Sequence, residues 1–248
     1  MPRLSDISYS REATIAAVRD YYQFLRELGY LGKTDEVIEL LRHLPYIRND
    51  GDVETPQAAP GTHFVDWARL ATRNWDRESM LLATDGGEWE HVPPHVVGLA
   101  LEARWSFSFN LDTELGVIYW IKCPHAIECD TRVEPVLDDA MDYTPEEELG
   151  RRRDGPAWAV PDFFELLKGE FRQLNFVPVG PRRVDDDYSN HSGETGDGST
   201  DVMRKLYRDH GWPDLDRYRK GECLEALRNT LREKYPDLLE DDVDYDDE

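Results

Sequence analysis

Cys123-Pro124-His125 and the nearby Cys129 place two thiols and an imidazole within seven residues. Thiolate and imidazole are the preferred ligands of zinc. His91 and His95 are the other candidates for such a site, provided that their segment lies beside the one carrying the cysteines. Two features argue against a metal. The chain has no Cys-x-x-Cys pair, and Pro93-Pro94 keeps the two histidines off a common helical face. Small apolar cysteines with a loop histidine are the better reading. Cys123, His125 and Cys129 remain the candidates for the alternative, a metal-dependent hydrolase or zinc-binding protein.

Glu134, Asp138, Asp139 and Asp142 offer hard oxygen ligands of the kind calcium takes. Their spacing lacks the glycine and the terminal glutamate of an EF-hand loop, so a solvated loop is expected. Asp138, Asp139 and Asp142 are retained with Trp120 as candidate binding residues. No Gly-x-Ser-x-Gly elbow marks a nucleophile, and no cysteine context marks an activated thiol. Neither a P-loop nor a Gly-x-Gly-x-x-Gly turn is present, since Thr84-Asp85-Gly86-Gly87 lacks the flanking pattern. The expectation is a protein without catalytic residues and without a cofactor.

The elements that must position these residues change period along the chain. Ser10 opens a helix whose stripe runs through Ile15, Val18, Tyr22, Leu25 and Leu28. Thr34 caps a second helix, with Val37, Leu40, Leu41 and Leu44 on its buried side and Pro45 ending it. Trp105, Phe107, Phe109 and Leu111 then alternate with Ser106, Ser108 and Asn110, which predicts a strand buried on one face. Val117 to Ile121 is a second strand, joined to the first by the Gly-bearing link Asp112 to Gly116 as an antiparallel hairpin. Tyr119 and Trp120 point to opposite faces, so one of the two is expected to be exposed. Val96 to Leu101 suggests a third strand.

Helices return at Thr144-Pro145-Glu146-Glu147, a capping-box start. Another begins near Pro161 and is expected to bury Phe164, Leu167, Phe171 and Leu174. Thr200 to His210 is predicted helical, stopped by Gly211. A last helix carries Leu224, Leu227 and Leu231 on one side and ends at Pro236. No repeat of solenoid length occurs.

Charge divides the chain differently. The 248 residues hold 29 basic and 52 acidic side chains, a net charge of −23. Residues 185–200 contribute five acids and no base, and residues 236–248 contribute eight acids and no base. Both stretches lack apolar side chains enough to offset about 1–2 kcal/mol of backbone ordering per residue. The expected organisation is therefore an α+β domain over 1–184, an acidic disordered linker over 185–200, a helical pair over 201–235 and an acidic disordered tail over 236–248. Such a chain repels nucleic-acid phosphates and anionic lipid, so neither nucleic acid nor membrane is an expected partner. The longest apolar stretches fall far short of a membrane span, and no signal-peptide pattern opens the chain. Three cysteines fit a reducing compartment, the cytoplasm or the nucleus.

The pattern resembles a set of fungal proteins distantly similar to the SUKH superfamily, which includes bacterial toxin-immunity proteins and fungal regulators of cell-wall glucan synthesis. The residues that carry it are Leu44-Pro45-Tyr46, the strand Gly116-Val117-Ile118-Tyr119-Trp120 and the helix Pro161-Asp162-Phe163-Phe164-Glu165-Leu166-Leu167. The resemblance spans about residues 10–175. It implies helices packed against an antiparallel, strongly bent sheet and a role in binding proteins or ligands, with no catalytic residues to carry over. The expected function is thus a non-enzymatic intracellular interaction protein, its partner a protein, a basic one if the acidic tail is what it meets. An acidic mimic of nucleic acid is a third class.

Overall fold

The computed structural model describes residues 32–45, 57–65, 92–102, 108–130, 132–137, 144–153, 155–180, 182–186, 188, 198–236 and 238. The helix expected from Ser10, His91, Trp105, Phe107, residues 189–197 and the tail from 239 lie outside them. In chain order the elements are α1 (Asp35–Leu41), β1 (Gln57–Ala59), β2 (Thr62–Phe64), β3 (Val96–Gly98), β4 (Ala100–Glu102), β5 (Ser108–Asp112), β6 (Val117–Ile121), α2 (His125–Glu128), α3 (Glu146–Arg153), β7 (Ala157–Ala159), α4 (Val160–Gln173), β8 (Phe176–Pro178), β9 (Val184–Asp186), α5 (Ser199–Asp209) and α6 (Lys220–Lys234). The fold is α+β. Its antiparallel sheets run β1-β2-β4, β3-β5-β6-β7 and β8-β9, with helices packed on them and a helical C-terminal region.

The central hairpin forms as its alternation predicts. Phe109 pairs with Trp120, Leu111 with Ile118 and Asp112 with Val117. The turn is four residues, Thr113 to Gly116, because Asp112 stays in the strand. Asp112 Oδ1 accepts the backbone N–H of Glu114 and of Leu115 at 3.1 and 3.0 Å, and Gly116 takes a φ of +71°. An aspartate before a glycine in this geometry closes the turn with its own side chain.

Both strands are buried on both faces, contrary to the one-sided expectation. Phe109, Ile118, Trp120, Trp158, Phe163 and Phe176 belong to the main core, where Phe109 meets Trp120 edge-on at 5.2 Å and Phe163 at 5.0 Å. Val117, Tyr119, Ile121 and Ala157 make a second cluster on the opposite side. Tyr119 and Trp120 are therefore both interior, and neither is exposed. Alternation tells which side chains share a face, but not whether the other face is covered. Ser108 and Asn110 sit on that second face, small enough to be buried and bonded to each other at 3.4 Å.

The third strand is broken. Leu99 separates β3, paired to β5, from β4, paired to β2. Its N–H donates to the Phe109 carbonyl at 2.8 Å, and its own carbonyl accepts from Val65 N at 3.0 Å.

Thr34 caps α1 as expected, its Oγ1 accepting from Val37 N at 3.3 Å, and Val37, Ile38 and Leu41 are buried. In α4 the buried residues are Phe163, Leu166, Leu167 and Glu170 rather than Phe164, which is exposed. Leu174 is also buried, but as the left-handed cap that ends the helix. In α6 Cys223 takes the inward place expected of Leu224. Each is a shift of one residue, about 100° of helix.

The stretch expected to be an acidic linker is ordered at its start. Val184 to Asp186 pair with Phe176 to Pro178, Asp186 is buried, and Arg183 Nε bonds Asp185 Oδ1 at 2.9 Å. A partner strand and a nearby guanidinium supply what the local composition lacks. Ser199 and Thr200, at its other end, are buried in the first turn of α5. The two C-terminal helices pack through Met203, Tyr207, Cys223, Leu227 and Leu231 on Leu174, Val177 and Val179. Trp212 Nε1 donates to the Phe171 carbonyl and Tyr207 Oη to that of Pro178, at 3.0 and 3.1 Å.

Candidate functional site

The cysteine–histidine segment opens at Lys122, whose φ of +60° turns the chain out of β6. The single turn α2 then sets His125 and Cys129 four residues apart on one face, with Sγ 3.5 Å from Nε2. Glu128 Oε2 lies 3.3 Å from His125 Nδ1. Cys123 does not join them. Its thiol packs against the main core and donates weakly to the Pro124 carbonyl at 3.7 Å. Desolvation pushes it far above the ordinary thiol range, and the charges of Glu128 and Glu170 add to the shift. Of the three candidate ligands two are adjacent and one is turned inward. Among the described residues no three His, Cys, Asp or Glu side chains converge as a metal site would require.

His95 stands elsewhere, before β3, with Nε2 3.6 Å from Asp112 Oδ2 and Nδ1 3.6 Å from Glu114 Oε1. Its carbonyl accepts both the N–H and the hydroxyl of Thr113, at 3.0 and 2.8 Å. It staples β3 to the hairpin turn. Trp120, a candidate binding residue, is fully buried among Phe109, Trp158, Phe163 and Phe176, so it is a core residue. Asp138, Asp139 and Asp142 lie outside the described residues.

Glu170 is the polar group that the sequence reading missed. It lies in the last turn of α4 and is 1% exposed. Tyr188 Oη donates to its Oε2 at 2.6 Å, Asn175 Nδ2 donates to the same oxygen at 3.1 Å, and Arg132 Nη2 lies 3.7 Å from Oε1. Arg132 is itself held by a two-toothed pair with Asp130. Positions 163, 166, 167 and 170 form one helical stripe, and an acid on it must find donors once the core has fixed that stripe as the inward one. A carboxylate so enclosed ties segments together and has no open face for a substrate.

β7 ends the order of the four-stranded sheet among the described residues, and its Ala157 and Trp158 are buried. Val136 N donates to the Ala157 carbonyl at 2.7 Å, and Trp158 Nε1 donates to that of Val133 at 3.0 Å, so residues 133–137 lie against this strand. Ala159 pairs with Val117, and Val160 N reaches the Gly116 carbonyl at 3.3 Å, which brings the hairpin turn to the start of α4. Four large apolar side chains are exposed on these segments: Leu115 at 48%, Val136 at 45%, Leu137 at 101% and Phe164 at 37%. No pattern of spacing could reveal them, because they come from a turn, a loop and a helix.

What fold and surface define is an α+β protein with a closed aromatic core, a buried carboxylate held by donors and exposed apolar residues on segments that adjoin β7. No protein family, curated protein or solved structure matches this chain. No helix among the described residues is long and apolar enough to cross a membrane.

Proposed function

We propose that the protein works by binding another protein through exposed apolar side chains on the segments that adjoin β7, and carries out no chemistry of its own. The observation that carries this reading is the exposure of Leu115, Val136, Leu137 and Phe164 on segments that adjoin β7. Scattered single apolar residues on a surface need no explanation, but several on adjoining segments favour an interaction site. The polar constellations support it from the other side. Glu170 is enclosed by its donors, Cys123 faces the core, and His125 with Cys129 lacks a third ligand among the described residues. The SUKH-like resemblance, with its protein-binding members, points the same way. Three free thiols favour an intracellular, cytoplasmic or nuclear setting.

Site-specific photo-crosslinking tests it. A photoreactive side chain placed at 115 or 137 in the full chain should yield protein adducts in cells, while the same group at exposed Lys205 should not. Adducts at 205 but at neither 115 nor 137 would remove the assignment.

A further inference from the structure

We infer that α5 and α6 form a detachable strap, released together with Tyr188 through the last turn of α4 while the aromatic sheet core stays folded. β8 divides two clusters. Phe176 faces the main core, and Val177, on the opposite face of the strand, faces the helical pair. Among the described residues, α5 and α6 add nothing to the main core. The contacts of Phe109, Trp120, Trp158 and Phe163 with one another therefore survive when the strap leaves.

Three side chains of the strap donate to backbone carbonyls at and beyond the end of α4. Trp212 Nε1 reaches that of Phe171 at 3.0 Å, Arg204 Nε that of Leu174 at 3.0 Å and Tyr207 Oη that of Pro178 at 3.1 Å. The last carbonyls of a helix have no partner within it, so Trp212 and Arg204 finish α4 from outside. Tyr188 grips the same turn. Its hydroxyl donates to Glu170 Oε2 at 2.6 Å, and Asn175, just past the left-handed Leu174, donates to that oxygen as well. Both attachments end within Glu170 to Asn175, and residues 189–198 lead from Tyr188 to the strap. Fraying of that one turn loosens both, so they open together.

Size decides what the released strap does. Residues 199–235 number 37, and Cys223 is a free thiol. Chains below about 40 residues rarely hold a fold without disulfides, metals or a partner surface. Undocking and melting of α5 and α6 are thus one event. It bares Leu174, Val177 and Val179, an apolar face that the closed strap covers.

Hydrogen-exchange mass spectrometry on the full chain tests this. Amides of α5, α6 and residues 174–179 should share one opening equilibrium and exchange well before those of β5 and β6. Trp212→Phe, which removes the donor and keeps a ring, should speed the strap and 174–179 by roughly three- to tenfold. Tyr188→Phe should speed the strap as well, although Tyr188 itself packs on the main core. Ile118→Val, in the hairpin, should speed β5 and β6 and leave the strap unchanged, because that contact survives strap release. An unaltered circular dichroism spectrum certifies each fold. Three results overturn the inference. They are strap exchange untouched by Tyr188→Phe, a Trp212→Phe effect confined to α5 and α6, and strap amides that follow β5 and β6 in every variant.

Discussion

Tyr188 donates its hydroxyl hydrogen to Glu170 Oε2 across 2.6 Å, and its ring lies edge-on to Phe176 at 6.3 Å. A residue just past β9 is thereby fastened to the end of α4. The carboxylate it meets also holds Asn175 and faces Arg132, so one buried charge serves three segments. Burial and the adjacent carboxylate both push the Tyr188 hydroxyl well above its ordinary range.

Removing that hydroxyl should cost more than a surface hydrogen bond. Tyr188→Phe is expected to lower stability by about 1–3 kcal/mol, because an enclosed carboxylate loses a donor. Glu170→Gln should cost less than Glu170→Leu, which strips partners from all three donors. Urea denaturation of the singles and the Tyr188→Phe/Glu170→Gln double measures the coupling. Strict additivity would mean that the two side chains do not act as a pair.

Stability should fall at both ends of the pH range. The hydrogen bond from Arg132 holds the Asp130 carboxyl below its usual value. Its contribution is complete above the unfolded pKa of about 3.9 and is lost as pH falls through the lower folded value. Cys123, Tyr188, Tyr207 and Tyr218 are shifted upward, chiefly by burial. Their contribution is complete below about pH 8.5–10, the unfolded range, and disappears as pH rises beyond it. Thermal midpoints measured across pH should show both limbs. Arg132→Gln should flatten the acidic limb and leave the alkaline one in place.

Thiol labelling should distinguish the three cysteines. Cys129 is exposed and should react first with iodoacetamide, whereas Cys223 is buried and Cys123 packs on the core. Cys123 and Cys223 should become reactive only on unfolding. Peptide mapping after partial labelling reads this directly, and early modification of Cys123 would contradict its placement.

Two glycines should respond to alanine with opposite signs. A Cβ at Gly155 would lie 2.3 Å from the Trp120 carbonyl oxygen and 3.1 Å from Ile121 Cα, backbone atoms of a central strand that cannot yield. Gly155→Ala should cost about 1–3 kcal/mol. Gly169 lies within α4, where a Cβ would meet only the end of Gln173 at 3.8 Å. Gly169→Ala should stabilise by about 0.5–1 kcal/mol. Chemical denaturation decides both.

Local rules made part of this fold legible. Thr34 before Asp35 and Glu36 marks a helix start, and Phe109 and Leu111 facing Trp120 and Ile118 follow from two alternating runs and a glycine. The phase of α4 was not legible, because Phe163-Phe164 is a doublet and Leu167 belongs to both possible stripes. Phe109 and Trp120, which pack on Phe163, settle it from other elements. Leu224 against Cys223 is the same ambiguity. Glu170 could be seen only as an acid out of place, since its partners Arg132, Asn175 and Tyr188 come from three separate segments. The exposed apolar residues are least legible of all, since Leu115, Val136, Leu137 and Phe164 lie on a turn, a loop and a helix whose segments adjoin β7 only in the fold.

The passage through Leu99 has a consequence for accuracy of assembly. Its amide belongs to one sheet and its carbonyl to another, with no spare residue between β3 and β4. A one-residue slip of β3 on β5 would drag β4 along β2 by the same step, turning Ala100 and its neighbours to the wrong face. Two registrations that elsewhere could err separately are geared together here, so each sheet proofreads the other.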